Sequence, residues 1–275
     1  MVEHVKPQDI EARSFEIIAT ELADRGIVLD ADRDPVIRRA IHTSADFDYV
    51  HTLCFSDDAV RIAKELIREG ADIVTDTNMA LTGINKKRLA EYGGSARCYM
   101  ADEAVAAEAK ERGVTRASVS MEHAARDAKE SGRKTIFAIG NAPTALLTLW
   151  EMYDEGRFAP DFVIGVPVGF VNVVEAKELI LETDIPHIIN RGRKGGSNIA
   201  AAIVNALLYT MLLYLKRWIK SSEAVSRPEA ALLPLPRRPR GCFSREMRKR
   251  IFLSSRRKAP LLMRISLIYK ELLTG

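Results

Sequence analysis

From Ala71 onward the chain alternates short apolar runs with longer stretches at helical spacing, and this alternation constrains its fold more than any other feature. Ala71-Asp72-Ile73-Val74-Thr75 is the first run, and residues 96–100, 134–139, 161–166 and 185–190 supply the others. Helices are predicted over 102–112, 117–131, 143–155, 172–181 and 197–219. Strands separated by helices of this length make βαβ units, whose strands lie parallel because each helix carries the chain back to the starting edge. The pattern predicts an α/β chain with a flavodoxin-like, doubly wound, mainly parallel five-stranded sheet. In such a sheet ligands sit beyond the carboxyl ends of the strands, where the strand order reverses. The loops leaving those ends therefore carry the functional reading.

N-terminal helices precede the alternation. Residues 8–25 place Ile10, Ser14, Ile17, Ile18, Ala19 and Leu22 at helical spacing, with Gly26 as a stop. A shorter helix, 35–44, opens after Asp34-Pro35, and an irregular or extended piece follows around Tyr49–Phe55. Ser56-Asp57 can cap a helix over 58–69, which Gly70 can end. With 47% hydrophobic residues, a sizeable core is available. The α/β pattern is complete at residue 219, so residues 1–219 are expected to form one domain.

The overall charge of +4 conceals an asymmetry: from Lys220 onward there are 14 Lys and Arg against 4 Asp and Glu, a local charge of +10 on a domain of −6. Residues 220–275 are rich in Pro and Arg and read as a basic, disordered extension. The basic pI is thus no nucleic-acid footprint of the domain, and no nucleic-acid partner is expected. Ile199–Leu215 is nearly all apolar, but it contains Asn205, Tyr209, Thr210 and Tyr214 and closes a regular α/β pattern. A buried or interface helix is expected there, not a membrane span. Cys54, Cys98 and Cys242 have no close pairing, which argues against a disulfide framework or a Cys-x-x-Cys metal site. The start lacks an apolar signal region. A cytoplasmic protein without metal or cofactor is the expectation.

Two features carry chemistry. The first is Arg38-Arg39-Ala40-Ile41-His42-Thr43-Ser44. Residues three and four apart are helix neighbours, so both arginines share a stripe with His42. A proton-carrying imidazole beside two cations suits an anionic substrate that must be protonated. Taken alone, the plainer reading is a half-buried histidine beside solvated arginines. The second feature is three glycine loops at strand-to-helix junctions: Gly140-Asn141-Ala142-Pro143-Thr144, Gly165-Val166-Pro167-Val168-Gly169-Phe170 and Arg191-Gly192-Arg193-Lys194-Gly195-Gly196-Ser197. Asn141 suits a cap and Pro143 a first helical turn. A helix N-terminus with free N–H groups attracts carboxylate or phosphate. None of the loops is a Walker loop or a dinucleotide fingerprint. Three on one edge suggest a broad ligand with several acidic arms. Asp76, Asn78, Thr82 and Gly83 follow the first strand of the alternation; for Asp76 and Asn78 helix capping is the better reading.

Together these residues resemble the precorrin-8X methylmutase family of cobalamin biosynthesis. The resemblance covers roughly 10–215. It rests on Arg13-Ser14-Phe15, Arg39-Ala40-Ile41-His42, Gly140-Asn141-Ala142-Pro143-Thr144-Ala145-Leu146, Gly165-Val166-Pro167-Val168-Gly169-Phe170-Val171, Glu175-Ala176-Lys177 and Arg191-Gly192-Arg193-Lys194-Gly195-Gly196-Ser197. The resemblance implies an isomerase that moves a methyl group from carbon 11 to carbon 12 of a corrinoid polycarboxylate, with His42 as the acid. It implies substrate contacts at Ser14, Arg39 and Arg116, and family members dimerise with the substrate between subunits. Thr82, Gly83, Gly140, Asn141, Gly169, Arg191, Gly192, Arg193, Gly195, Gly196 and Ser197 complete the expected substrate-binding set. The family has no counterpart of residues 220–275. Two other classes stay open: a non-catalytic corrinoid carrier, and a flavodoxin-like nucleotide-binding protein.

Overall fold

The computed structural model describes residues 6–211. After a short 3-10 turn, Pro7–Asp9, come helices α1 (Ile10–Asp24), α2 (Asp34–Ser44) and α3 (Tyr49–Thr52). Then follow β1 (Leu53–Phe55), α4 (Ala59–Arg68), β2 (Asp72–Thr75), α5 (Asn78–Gly83), α6 (Lys86–Ala90) and β3 (Ala96–Cys98). The second half is α7 (Glu103–Arg112), α8 (Arg116–Ser131), β4 (Thr135–Ile139), α9 (Pro143–Asp154), β5 (Phe162–Gly165), α10 (Val173–Leu181), β6 (His187–Asn190) and α11 (Ser197–Tyr209).

The sheet is mixed and six-stranded, in the order β1-β6-β5-β4-β2-β3. The five strands expected from the alternation are all parallel to their neighbours, and β1 adds a sixth that runs antiparallel along β6. The five-stranded expectation is corrected here. The Tyr49–Phe55 piece divides into a helical turn and a three-residue strand, Leu53 opposite Asn190. So short a strand has no period of its own to read, and its partner lies some 130 residues away along the chain. An antiparallel edge on a parallel sheet is a common arrangement.

Both faces of the sheet are covered, and the strands show it residue by residue. Ile73, Ile136, Ala138, Phe162, Ile164 and Ile188 pack on one side with α1, α2, α4, α5 and α11. Val74, Phe137, Ile139, Val163 and Ile189 pack on the other with α7, α8, α9 and α10. Successive side chains of a strand point to opposite faces, so a doubly covered strand is apolar at most positions and not only at alternate ones. α11 lies deep in the first layer, with Ile199, Ala200, Ile203, Val204, Leu207 and Leu208 at most 1% exposed. Its apolar character comes from this burial, and no helix among the described residues is long and apolar enough to cross a membrane. The expected continuation of this helix beyond Met211, and the extension at 220–275, lie outside the described residues.

Local caps differ from expectation in two places. Ser56 does not cap α4; its hydroxyl accepts the His187 N–H at 2.9 Å and so ties the start of β6 to the end of β1. Asn141 does not cap α9, whose cap residue is Ala142 with no side-chain bond and Pro143 in the first turn.

Candidate functional site

The strand order reverses between β2 and β4, and there the carboxyl ends of the two strands leave a crevice. The protein fills that crevice itself. Asp76 follows β2 and is fully buried; its carboxylate accepts the N–H groups of Gly140, Asn141 and Ala142 at 2.9, 2.7 and 2.6 Å. Burial raises the Asp76 pKa even against these three donors. Asp76 is therefore not a helix cap: Thr77 caps α5 by accepting the Ala80 N–H at 3.1 Å. A carboxylate supplied in cis occupies the N–H groups that the sequence offered to a ligand anion. The exposed Asn141 side chain stays outside this arrangement.

The β4–α9 and β6–α11 loops touch. A Cβ on Gly140 would lie 2.6 Å from Ser197 Cα, and one on Gly195 would lie 2.0 Å from the Val166 carbonyl oxygen, with φ at +155°. Gly196 donates its N–H to that carbonyl at 2.8 Å, and the Ser197 hydroxyl pairs with Thr77 at 2.8 Å. These glycines serve close backbone approach, which only a residue without Cβ permits. Gly83 makes room for a side chain between α5 and α11, where its missing Cβ would lie 2.8 Å from the Ala201 Cβ. The Thr82 hydroxyl donates to its own helix at Asn78 O, 2.8 Å.

The basic residues of this edge are unequal. Arg191 makes a two-pronged pair with Glu178 at 3.0 and 3.1 Å. Lys194 bridges Asp46 and Asp48, both at 2.6 Å, and these bonds raise its pKa. Both cations act as struts within the fold. Arg193 is exposed, lies 5.3 Å from the Phe170 ring and has no carboxylate partner among the described residues. Arg116 is exposed at the start of α8, where Thr115 and Thr144 join the first turns of α8 and α9 by a 2.9 Å hydroxyl bond. It too has no carboxylate partner among the described residues. The Gly169 N–H donates to the Arg193 carbonyl at 3.1 Å. Phe170 is 81% exposed and Val171 76%, so an uncovered apolar surface borders the Arg193 guanidinium. Gly192 adopts φ +75° beside it.

His42 sits on α2, half-buried and stacked on Phe15 of α1 with ring centroids 5.0 Å apart. Neither of its ring nitrogens has a hydrogen-bond partner among the described residues. Arg39 pairs with Glu11 and lies over Phe15 at 4.7 Å and Tyr209 at 5.3 Å. Arg38 turns instead to Asp34 at 2.6 Å. Ser14, next to Phe15, donates its hydroxyl to Ile10 O at 2.9 Å, which leaves oxygen lone pairs open. Thus Ser14, Phe15, Arg39 and His42 form one group, while Gly169 and Arg193 on the loops before α10 and α11, and Arg116 and Asn141 at the starts of α8 and α9, follow strands of the same sheet. Tyr209 touches the first group and Ser197, at the other end of α11, lies against the Gly140-Asn141 loop; twelve helical rises between them span about 18 Å. A single small anion cannot reach both ends. Grooves of about 630 and 510 Å³ elsewhere are lined by none of these residues.

Sequence reading alone missed Asp76 as a loop anchor and gave Lys177, named only within the Glu175-Ala176-Lys177 string, no role of its own. Lys177 is a mid-helix lysine by pattern, yet it is fully buried, and its ammonium donates to Gly192 O at 2.7 Å and Lys194 O at 2.9 Å.

Residues 9–210 match the family model described as precorrin-8X methylmutase. The chain is 43% identical over 203 residues to the cobalt-precorrin-8 methylmutase of Priestia megaterium, an alignment covering 74% of this chain and 88% of that one. It is 44% identical over 207 residues to the cobalt-precorrin-8 methylmutase of Salmonella typhimurium, covering 74% and 95%. With the precorrin-8X methylmutase of Pseudomonas aeruginosa it shares 37% identity over 210 residues, covering 75% and 98%. Among solved structures it is similar to the precorrin-8x methyl mutase of Thermus thermophilus, with a TM-score of 0.65, 37% identity, and coverage of 74% and 98%.

Proposed function

Because this chain belongs to the precorrin-8X methylmutase family, we propose that its described domain performs that family's isomerisation with His42 as the acid. The chain is an isomerase of cobalamin biosynthesis. In the reading advanced here, the substrate is a precorrin-8 macrocycle, with or without cobalt, and a methyl group passes from carbon 11 to carbon 12. Protonation of the macrocycle by the His42 imidazolium lowers the barrier to migration. Loss of a ring proton afterwards completes the conjugated product and restores the acid.

The observation that carries this reading is His42 itself: a half-buried imidazole held flat on Phe15, with both nitrogens unpartnered among the described residues and Arg39 alongside. A carrier needs cations for the acid arms but no such proton donor. A nucleotide-binding protein of flavodoxin type is disfavoured by Asp76, which occupies the crevice N–H groups a phosphate would need. The parallel strands do run in a flavodoxin-like order: numbered along the chain without β1, they read 2-1-3-4-5. The fold thus supports that description of the sheet without the ligand class.

Arg193 and Arg116 are the groups we assign to the carboxylate arms, through charge-assisted hydrogen bonds. The separation of about 18 Å along α11 favours a broad substrate, and it accommodates a site shared between two copies of the chain. His42→Ala should fold normally, bind product, and lose about two to four decades of turnover, as expected for a missing general acid. Turnover within a few-fold of wild type removes His42 from the mechanism. Assaying metal-free and cobalt-containing substrates by absorption separates the two substrate forms. Co-expressing His42→Ala with Arg193→Ala tests sharing: a site built from two protomers restores a wild-type KM in the mixed dimer, whereas a site within one protomer leaves the raised KM of Arg193→Ala.

A further inference from the structure

We propose that Lys177 is a positioning residue for this reaction: its buried ammonium grips the carbonyls on either side of Arg193 and so fixes the guanidinium toward the substrate arms. The inference rests on the assignment of Arg193 as an arm-binding group.

The geometry is specific to that one residue. Lys177 on α10 donates to Gly192 O at 2.7 Å and to Lys194 O at 2.9 Å, the residues immediately before and after Arg193. The Asn190 amide donates to the same Lys194 carbonyl at 2.8 Å. Gly169 N–H holds the Arg193 carbonyl at 3.1 Å, and the Phe170 ring lies 5.3 Å from its guanidinium. The Arg193 backbone is pinned on both flanks and at its own carbonyl, while its side chain alone remains exposed. A fixed backbone beneath a long side chain limits the freedom lost on binding, which raises the affinity each contact contributes.

A fully buried ammonium is an expensive way to hold a loop if holding is all it does. A neutral amide could satisfy the same two carbonyls. What a cation adds is strength, because hydrogen bonds from charged donors are roughly twice as strong as neutral ones. Arg191 and Lys194 stiffen the loop further through Glu178 and through Asp46 and Asp48. Their partners neutralise them, so the loop offers the substrate Arg193 and spends its other cations on shape.

Burial pulls the Lys177 pKa down to about 8. The charged groups around it are Glu178 on its own helix, Arg191, Arg193 and Lys194 on the loop, and Asp46 and Asp48 beyond it. None of them, and no charged residue of α9, contributes to the shift, which comes from burial alone. The grip on the loop should therefore weaken above about pH 8, while the neutral amine still donates more weakly.

The test is steady-state kinetics on the full chain with the tetrapyrrole substrate, together with a double-mutant cycle. Arg193→Ala should raise KM about tenfold with little change in kcat, the loss of a charge-assisted bond at an exposed site. Lys177→Met should raise KM about fivefold, again sparing kcat, and the double variant should be no worse than Arg193→Ala alone. Lys177→Arg, which keeps charged donors, should restore most of the loss. In wild type KM should climb about threefold above pH 8, and this rise should vanish in Arg193→Ala. If Lys177→Met does not fold, the wild-type and Arg193→Ala pH profiles decide alone, and a flat wild-type KM overturns the inference. Independent, multiplying effects of the two substitutions also overturn it, as does an unchanged KM in folded Lys177→Met. If Arg193→Ala itself leaves KM unchanged, the assignment of Arg193 fails and the inference falls with it; a raised KM there with no effect of Lys177 removes the inference only.

Discussion

Replacing Asp76 by Asn should destabilise the domain by about 2–3 kcal/mol, and the figure can be built from the contacts. The carboxylate accepts three N–H groups, that of Gly140 on one oxygen and those of Asn141 and Ala142 on the other. An amide has one accepting oxygen and one donating nitrogen. Whichever way it is turned, its NH2 faces at least one loop N–H. If the oxygen keeps Asn141 and Ala142, the buried Gly140 N–H is orphaned, at about 1–3 kcal/mol. The amide's own hydrogens, buried and unmatched, add to that cost. Relief of the buried charge offsets part of it, because burial already holds the Asp76 carboxyl above its ordinary pKa. For a domain of this size the net loss corresponds to a Tm lower by about 5–10 °C.

The pH dependence gives a second reading of the same substitution. A carboxyl whose folded pKa is raised contributes stability that is present at low pH and lost as pH rises through the raised value. Asparagine has no such dependence. The stability difference between wild type and Asp76→Asn should therefore widen as pH is lowered from neutral toward the ordinary carboxylate range. Urea melts followed by far-UV circular dichroism at several pH values measure both quantities. A variant as stable as wild type would refute the account of Asp76 as an anchor for the β4–α9 loop, and a gap that closes on acidification would refute burial as the dominant influence on its carboxyl.

Three further outcomes follow from the same contacts. Arg191→Ala should change KM by no more than about threefold, since Arg191 is an exposed strut to Glu178 and such pairs contribute little; an effect as large as that of Arg193→Ala would return Arg191 to the substrate. Gly195→Ala should give little folded protein, because the new Cβ meets the Val166 carbonyl oxygen at 2.0 Å at a φ of +155°; a normal melting curve would contradict this. His187 is buried, and burial lowers its pKa, so its contribution to stability is present above the ordinary histidine pKa and lost as pH falls below it. The urea midpoint should accordingly drop between pH 7 and pH 5, and His187→Gln should flatten that drop.

Some of this protein is written in short-range pattern and some is not. The parallel strands were legible because a doubly covered strand is mostly apolar, as Thr135–Ile139 and Phe162–Gly165 are with every position buried, and because helices of regular period lie between them. The junction loops were legible from their glycines, and the family motifs stood out as contiguous strings. β1 was not legible, since three residues that pair antiparallel with a strand near the end of the domain carry no local signal. The loops' purpose was not legible either. Gly140 and Gly195 looked like cradles for an anion, whereas they admit neighbouring backbone, and the anion on the Gly140 loop is Asp76.

The basic cluster shows the division most plainly. Composition and spacing present Arg39, Arg116, Arg191, Arg193 and Lys194 as equals, because a charge in sequence has no partner. Folding brings Glu11 to Arg39, Glu178 to Arg191 and both Asp46 and Asp48 to Lys194, across separations of 13 to 148 residues. Arg116 and Arg193 are left facing outward. Lys177 is one residue of a family string in the sequence, and only the packing of α10 excludes water around it. Periodicity and residue preference act over a few residues, so the sequence by itself determined the elements, their mostly parallel pairing and the family. Burial and ion pairing depend on which distant segments meet, so only the tertiary structure decided which charges hold the fold and which are free to meet a ligand.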